Sequence, residues 1–354
     1  MFTTIRSVAT VLVVGLLAAA CGGGTTATSA TPGASTTTAA QGALPAPELS
    51  KLKIGLSAPT EPVQFSEKLA DMLGYYKENG LTVEIIGFEG DGKALQALVA
   101  GQLDMFVGGA STAVNATVTD TPVKVVAMNS VLNTDGLYCK AAIKTAADVK
   151  GKSVAISTFG GTSHGSALLA LKGLGYKASD AVITQVGNEG TRIAALKGGS
   201  IDCAVASIEL DSQLKAAGLN LLIDITKSGG QWGRSGLMAR TDFLAKNPNT
   251  VLNVVAAVVR AQNQMFADPA TTATNFATYS QQKPADADAA IKAFANYGLR
   301  SMIFSQDAFI NPRDVLAVVN PAMANVDVTK AYDLSYLTKL QDNGFFAKYK
   351  IPLN

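Results

Sequence analysis

The chain nearly repeats itself at a fixed spacing, and that restricts its fold more than any other feature. Lys53-Ile54-Gly55-Leu56-Ser57 aligns with Ser153-Val154-Ala155-Ile156-Ser157. Residues 83–87 align with 183–187. Ala100-Gly101-Gln102-Leu103-Asp104-Met105-Phe106-Val107 aligns with Gly198-Gly199-Ser200-Ile201-Asp202-Cys203-Ala204-Val205. The offsets stay between 98 and 100 residues, which chance matches would not do. Each copy reads as helix, glycine stop, short loop and strand. The repeat predicts two similar open sheets placed face to face.

Apolar β-branched runs alternate with helical patterns, which gives an α/β class. Strands are expected at 52–57, 81–86, 104–107, 123–128, 137–143, 153–157, 181–186, 202–206, 219–225 and 236–240. Helices are expected at 66–79, 93–100, 163–174 and 191–197, with Gly80 and Gly101 placed to end two of them. After Arg240 the pattern is helical throughout, at 249–267, 270–281, 285–297, 306–319 and 332–343. Asp268-Pro269 and Lys283-Pro284 punctuate this tail. A tail this long returns most simply to the first lobe. Lobe one is then 50–135 with 237–354, lobe two is 136–232, and the crossings fall near 135–136 and 233–236.

The first twenty residues read as an export address. Arg6 precedes an apolar run, 8–20, that is too short to span a bilayer, and small residues lead into Cys21. Cys21 is the expected lipid-carrying first residue of the mature chain. Residues 21–49 are Gly, Thr, Ser, Ala and Pro with almost no charge, a composition expected to form a flexible tether reaching roughly 30 Å from the membrane. Without Arg6, the 29 basic and 27 acidic residues become 28 and 27. A nearly neutral body with no basic stripe gives no reason to expect nucleic acid. Two cysteines remain, Cys139 and Cys203, an even number that permits one bridge in an oxidising compartment.

Ligands of open α/β sheets sit beyond the carboxyl ends of the strands. Two facing sheets turn those loops into the walls of one cleft. The candidate contacts in lobe one are Ser57, Thr60, Glu61, Gly109, Ser111 and Thr112. In lobe two they are Ser157, Gly160, Gly161, Thr162, Ser163, His164, Arg192, Ser207 and Glu209, with Trp232 at the crossing. Two of the runs are glycines and hydroxyls opening a helix, where backbone N–H groups and the helix dipole favour an anionic head group. Ser111 and Thr162 are also expected to cap those helices. The ligand body would rest against Phe159 or Trp232. Arg192 is expected to be a surface cation facing the head group. Its loss should weaken binding by about 1.5–3 kcal/mol and leave the fold unchanged. Glu61 and Glu209 are the alternative contacts should the ligand be a cation. The lone His164 offers neither a metal site nor a triad, and no cofactor is expected.

Three segments carry a family resemblance: Leu73-Gly74-Tyr75-Tyr76-Lys77-Glu78-Asn79-Gly80-Leu81-Thr82-Val83-Glu84, residues 97–104, and Asp148-Val149-Lys150-Gly151-Lys152-Ser153-Val154-Ala155. With Gly160-Gly161-Thr162-Ser163-His164, they make the chain resemble the type II periplasmic binding proteins of the nitrate, sulfonate, taurine and thiamine-precursor transport family. The likeness spans about residues 51–268, and Gly161 stands where sulfonate-binding relatives have serine. It implies a two-lobe α/β fold of mostly parallel sheets and a small-molecule ligand. It also implies delivery to an ABC permease with its ATPase, a monomeric and extracytoplasmic protein, and no enzymatic activity. By analogy with the family topology, the strand at 137–143 runs antiparallel beside 202–206, which brings Cys139 and Cys203 within bridging range. The competing readings are a ligand-sensing surface lipoprotein and an enzyme like the one that makes the thiamine pyrimidine. The latter is disfavoured because two cysteines cannot supply its cysteine-rich motif.

Overall fold

A computed structural model describes residues 41–353 apart from Pro122 and Gly229. The export segment, Cys21 and the tether up to residue 40 lie outside the described residues. Two five-stranded sheets organise the chain, and they share one plan. The first runs β2-β1-β3-β10-β4, from β1 (Lys51–Leu56), β2 (Thr82–Gly87), β3 (Met105–Gly108), β4 (Val123–Ser130) and β10 (Ser235–Arg240). The second runs β7-β6-β8-β5-β9, from β5 (Asp135–Cys139), β6 (Ser153–Ile156), β7 (Val182–Gln185), β8 (Cys203–Ser207) and β9 (Asn220–Asp224). In each sheet the second strand of that order, β1 or β6, pairs parallel with both its neighbours, and the one antiparallel strand takes the fourth place. The strands that follow the two crossings, β5 and β10, fill those equivalent antiparallel places.

The sequence repeat has a physical counterpart in one paired residue. Asp104 accepts the Lys53 N–H at 2.8 Å in lobe one, and Asp202 accepts the Ser153 N–H at 3.0 Å in lobe two. In both copies the acid just before the third strand closes the edge of the first.

The helices expected after Arg240 pack with the first sheet in one core that includes Val255, Phe276, Phe309 and Leu340. Lobe two is smaller, with separate apolar clusters around Leu171 and Leu196. Cys139 faces Cys203 across the β5–β8 pair, and their sulfurs are bonded.

Three expectations need correction. The helix at 66–79 is two, Phe65–Met72 and Tyr75–Glu78, because Gly74 adopts φ 73° and breaks the ladder between them. The first crossing runs through 131–134, since Asp135 and Gly136 already pair with Ser207 and Ala206 in β5. The segment 42–49, expected to end the tether, is fixed to lobe one. Gly42 N–H donates to Asn343 O at 2.7 Å and Asn253 Nδ2 to Pro45 O at 2.8 Å. The Glu48 carboxylate meanwhile takes the free N–H groups of Asn249 and Thr250 at the start of the helix Pro248–Ala267.

Candidate functional site

The carboxyl ends of both sheets enclose a cavity of about 50 Å³. A single water needs about 10–15 Å³ on the same measure, so there is room for several solute atoms. From lobe one come Ser57, Ala58 and Glu61 after β1, Gln64, and Gly90 and Asp91 after β2. From lobe two come Ser157 after β6, Thr162 and Ser163 opening the helix Thr162–Gly173, and Asn188, Glu189 and Arg192 after β7. Asp135, Arg234 and Ser235 line the hinge side.

The loops are held by their own side chains. Gln64 accepts the Ala58 N–H at 2.9 Å and donates to Ser57 Oγ at 3.0 Å, which sets the turn after β1. Ser163 Oγ accepts the Ser157 N–H at 2.8 Å and lies 2.7 Å from Ser157 Oγ. Asn188 caps the helix Glu189–Lys197 by accepting the Thr191 N–H at 2.9 Å.

The lobes meet closely in this structure. Asp91 Oδ2 accepts from Gly109 N–H at 3.2 Å, from the Thr112 hydroxyl at 2.7 Å and, across the cleft, from the Thr162 hydroxyl at 3.3 Å. One carboxylate of the protein itself thus takes the Gly109 N–H and the hydroxyls of Thr112 and Thr162, which stand in the first turns of the two helices. Gly109 makes this approach fit, because a Cβ there would stand 1.8 Å from Thr162 Oγ1.

Arg234 ties the hinge together. Its guanidinium reaches Glu61 at 2.8 Å, Asp135 at 3.0 Å and Thr134 Oγ1 at 3.2 Å, so one side chain from the return crossing holds lobe one and the outgoing crossing. These carboxylates push its already high pKa further up against the opposing effect of burial. Arg192 is not the surface cation expected. It is buried, with Nε donating to Val205 O at 2.9 Å and Nη1 to Gly187 O at 2.8 Å. Burial pushes the Glu61 carboxyl up to about 8, and the charge of Glu189 pushes the same way. Glu189 is also raised, chiefly by burial.

Of the expected contacts, Ser57, Glu61, Ser157, Thr162, Ser163 and Arg192 line the cavity. Thr60 is exposed instead, because the turn after β1 points it outward. Gly109, Ser111 and Thr112 serve the lobe contact, Ser111 lying 3.4 Å from Thr162 Oγ1. Gly160 and Gly161 shape the entry to the helix Thr162–Gly173, Gly160 with φ 78°. His164 accepts the Gly160 N–H at 3.0 Å and turns with Phe159 toward a separate groove shared with Asn115 and Leu316. Burial depresses its pKa to about 4. Ser207 gives its N–H to Glu189 and caps Glu209 N–H. Glu209 stays outside the cavity lining, although burial and the charge of Glu61 raise its carboxyl well above the usual range. Trp232 is buried over Gly165 of the lobe-two helix, where a Cβ would stand 2.4 Å from Cη2.

Sequence reasoning passed over Asp91, Asp135 and Glu189. Asp91 follows β2 and Glu189 follows β7, and neither loop's sequence shows which side chain turns into the cleft.

The family model described as NMT1/THI5 like matches residues 67–272. The chain belongs to that family. The taurine-binding periplasmic protein of Escherichia coli (strain K12) is 31% identical over 199 residues, covering 55% of this chain and 61% of that protein. A solved structure from Bordetella bronchiseptica RB50 aligns with a TM-score of 0.75 at 25% identity, covering 84% of this chain and 98% of that one. The periplasmic nitrate-binding protein NrtA from Synechocystis PCC 6803 shares the fold, with a TM-score of 0.67 at 17% identity over 87% of this chain and 92% of its own. The fold of the family is thus the two-lobe α/β binding fold seen here. Among the described residues no helix is long and apolar enough to cross a membrane.

Proposed function

We propose that this chain is the solute-binding component of an ABC importer, working outside the cytoplasmic membrane and held there by a lipid on Cys21. The observation that carries the reading is the cavity itself: duplicated sheets present their strand-end loops to one another, and polar side chains from both lobes converge on it. Family membership and the likeness to a taurine-binding protein support the same reading. Solute entry requires the lobes to part and close again about the two crossings, one leading into β5 and one into β10, a hinge motion typical of such folds. The permease would recognise the closed form. With Cys139 and Cys203 joined, neither thiol is free to act as nucleophile or metal ligand.

A thermal-shift screen of the mature protein against sulfonates, small acids, amines and pyrimidines tests the binding role. Stabilisation by a member of that set, with retention of the ABC permease on the solute-loaded protein, is the expected result. Mass spectrometry of the membrane-extracted amino terminus tests the anchor, and an unmodified Cys21 would overturn it.

A further inference from the structure

The cleft holds more acid than base. Glu61, Asp91, Asp135 and Glu189 face it, against Arg192 and Arg234. The contacts already made show which groups are left for a solute. Asp91 Oδ2 is taken by three donors. Asp135 is held through Oδ1 by Arg234 at 3.0 Å and through Oδ2 by the Ser166 hydroxyl at 2.6 Å. Glu61 gives only Oε2 to Arg234, and Glu189 gives only Oε1 to Ser207 N–H. One oxygen of each remains without a partner among the described residues. Matching each guanidinium to one carboxylate leaves two carboxylates over, in a site where isolated charges are costly.

We infer that the solute carries a protonated amine or amidinium group, received between the free oxygens of Glu61 and Glu189. This rests on the solute-binding reading and specifies its ligand. It replaces the anionic head group expected at the helix starts, since Asp91 already places a carboxylate against the Gly109 N–H and the Thr112 and Thr162 hydroxyls there. A zwitterion such as an aminosulfonate satisfies the requirement through its ammonium end, and a simple sulfonate does not. Protons relieve the surplus: burial first, then the charges of Glu189 and Asp135, push the Glu61 carboxyl up to about 8 against the pull of Arg234 and Arg192. An arriving cation displaces that proton.

The experiment is a matched panel run by thermal shift and then calorimetry on the mature protein. Each amine is paired with its hydroxyl analogue, such as taurine with isethionate, and ethanolamine and agmatine stand for pure cations. Stabilisation confined to amine or amidine members is expected, with release of up to one proton on binding at pH 7. Glu61→Gln and Glu189→Gln should each weaken binding tenfold or more. Glu189→Gln leaves the Arg234 pairs untouched, so it reports even where Glu61→Gln perturbs the hinge. Stabilisation by isethionate without taurine would overturn the amine assignment while leaving the solute-binding reading intact. Wild-type affinity in both variants would do the same. A panel without any binder, amine or anion, would sink the solute-binding reading and the assignment with it.

Discussion

Asp91 Oδ2 accepts the Thr162 hydroxyl at 3.3 Å, and through that contact lobe one holds the first turn of a lobe-two helix. The same oxygen serves Gly109 and Thr112 within its own lobe, so one carboxylate both shapes the wall of lobe one and latches the other lobe to it. Asp91→Ala should cost about 1–3 kcal/mol of folding stability, because buried donors lose their acceptor. It should also raise the radius of gyration of the solute-loaded protein. Urea denaturation and small-angle scattering read the two effects. A stable variant that stays compact would mean the lobes close without the latch.

Arg192 gives a different outcome from the one its sequence position suggests. Its hydrogen bonds go to the backbone carbonyls of Val205, within β8, and Gly187, just after β7, so Arg192→Ala takes a donor from both. A loss on the order of 2–4 kcal/mol is expected, visible as a lower melting temperature without any solute. A melting temperature equal to wild type would return Arg192 to the role of a surface cation.

The retained protons of the buried acids make stability depend on pH. Burial raises Glu61 to about 8 and Glu67 to about 7, from 4.5 for a free carboxyl. The folded chain therefore binds more protons than the unfolded chain between those values, and stability falls as pH rises. His164, lowered to about 4, acts in the opposite sense between about 4 and 6.5, so the clean window lies above pH 6.5. The solute-free protein should melt at a lower temperature at pH 8 than at pH 6.5. A flat or rising profile there would contradict the retained protons.

The Cys139–Cys203 bond closes a loop with a sequence separation of 64, tying the entry strand of lobe two to β8. On loop entropy alone, a bridge of this span stabilises by about 4 kcal/mol. The double substitution to alanine should lower the melting temperature. Alkylation of both thiols in unreduced exported protein would rule the bond out.

How far this was legible in the sequence differs between frame and site. The ten strands, and the register that places Lys53 with Ser153 and Asp104 with Asp202, were readable because apolar periodicity and a constant repeat offset report the backbone directly. The cleft was less readable. Loops after strands could be located, yet which side chain turns inward depends on partners far away in the chain. Glu61 meets Arg234 across 173 positions, and Asp91 meets Thr162 across 71. Glycine-and-hydroxyl runs at helix starts look like an anion site until Asp91 is found beside them. Trp232, between β9 and β10, packs against Gly165.

Gly109 offers the most direct test, because its φ of −78° suits any residue while a Cβ there would stand 1.8 Å from Thr162 Oγ1 of the other lobe, against 3.2 Å from Ser111 Oγ of its own. Gly109→Ala should fold as wild type, yet the lobes could not reach the separation seen here. Scattering and calorimetry on both proteins, with and without the amine identified by the panel, form the decisive measurement. Closure over a cationic solute predicts that wild type contracts on binding, while Gly109→Ala stays extended and binds at least 100-fold more weakly. Equal affinity in the two proteins, with no change in radius of gyration for wild type, would contradict it.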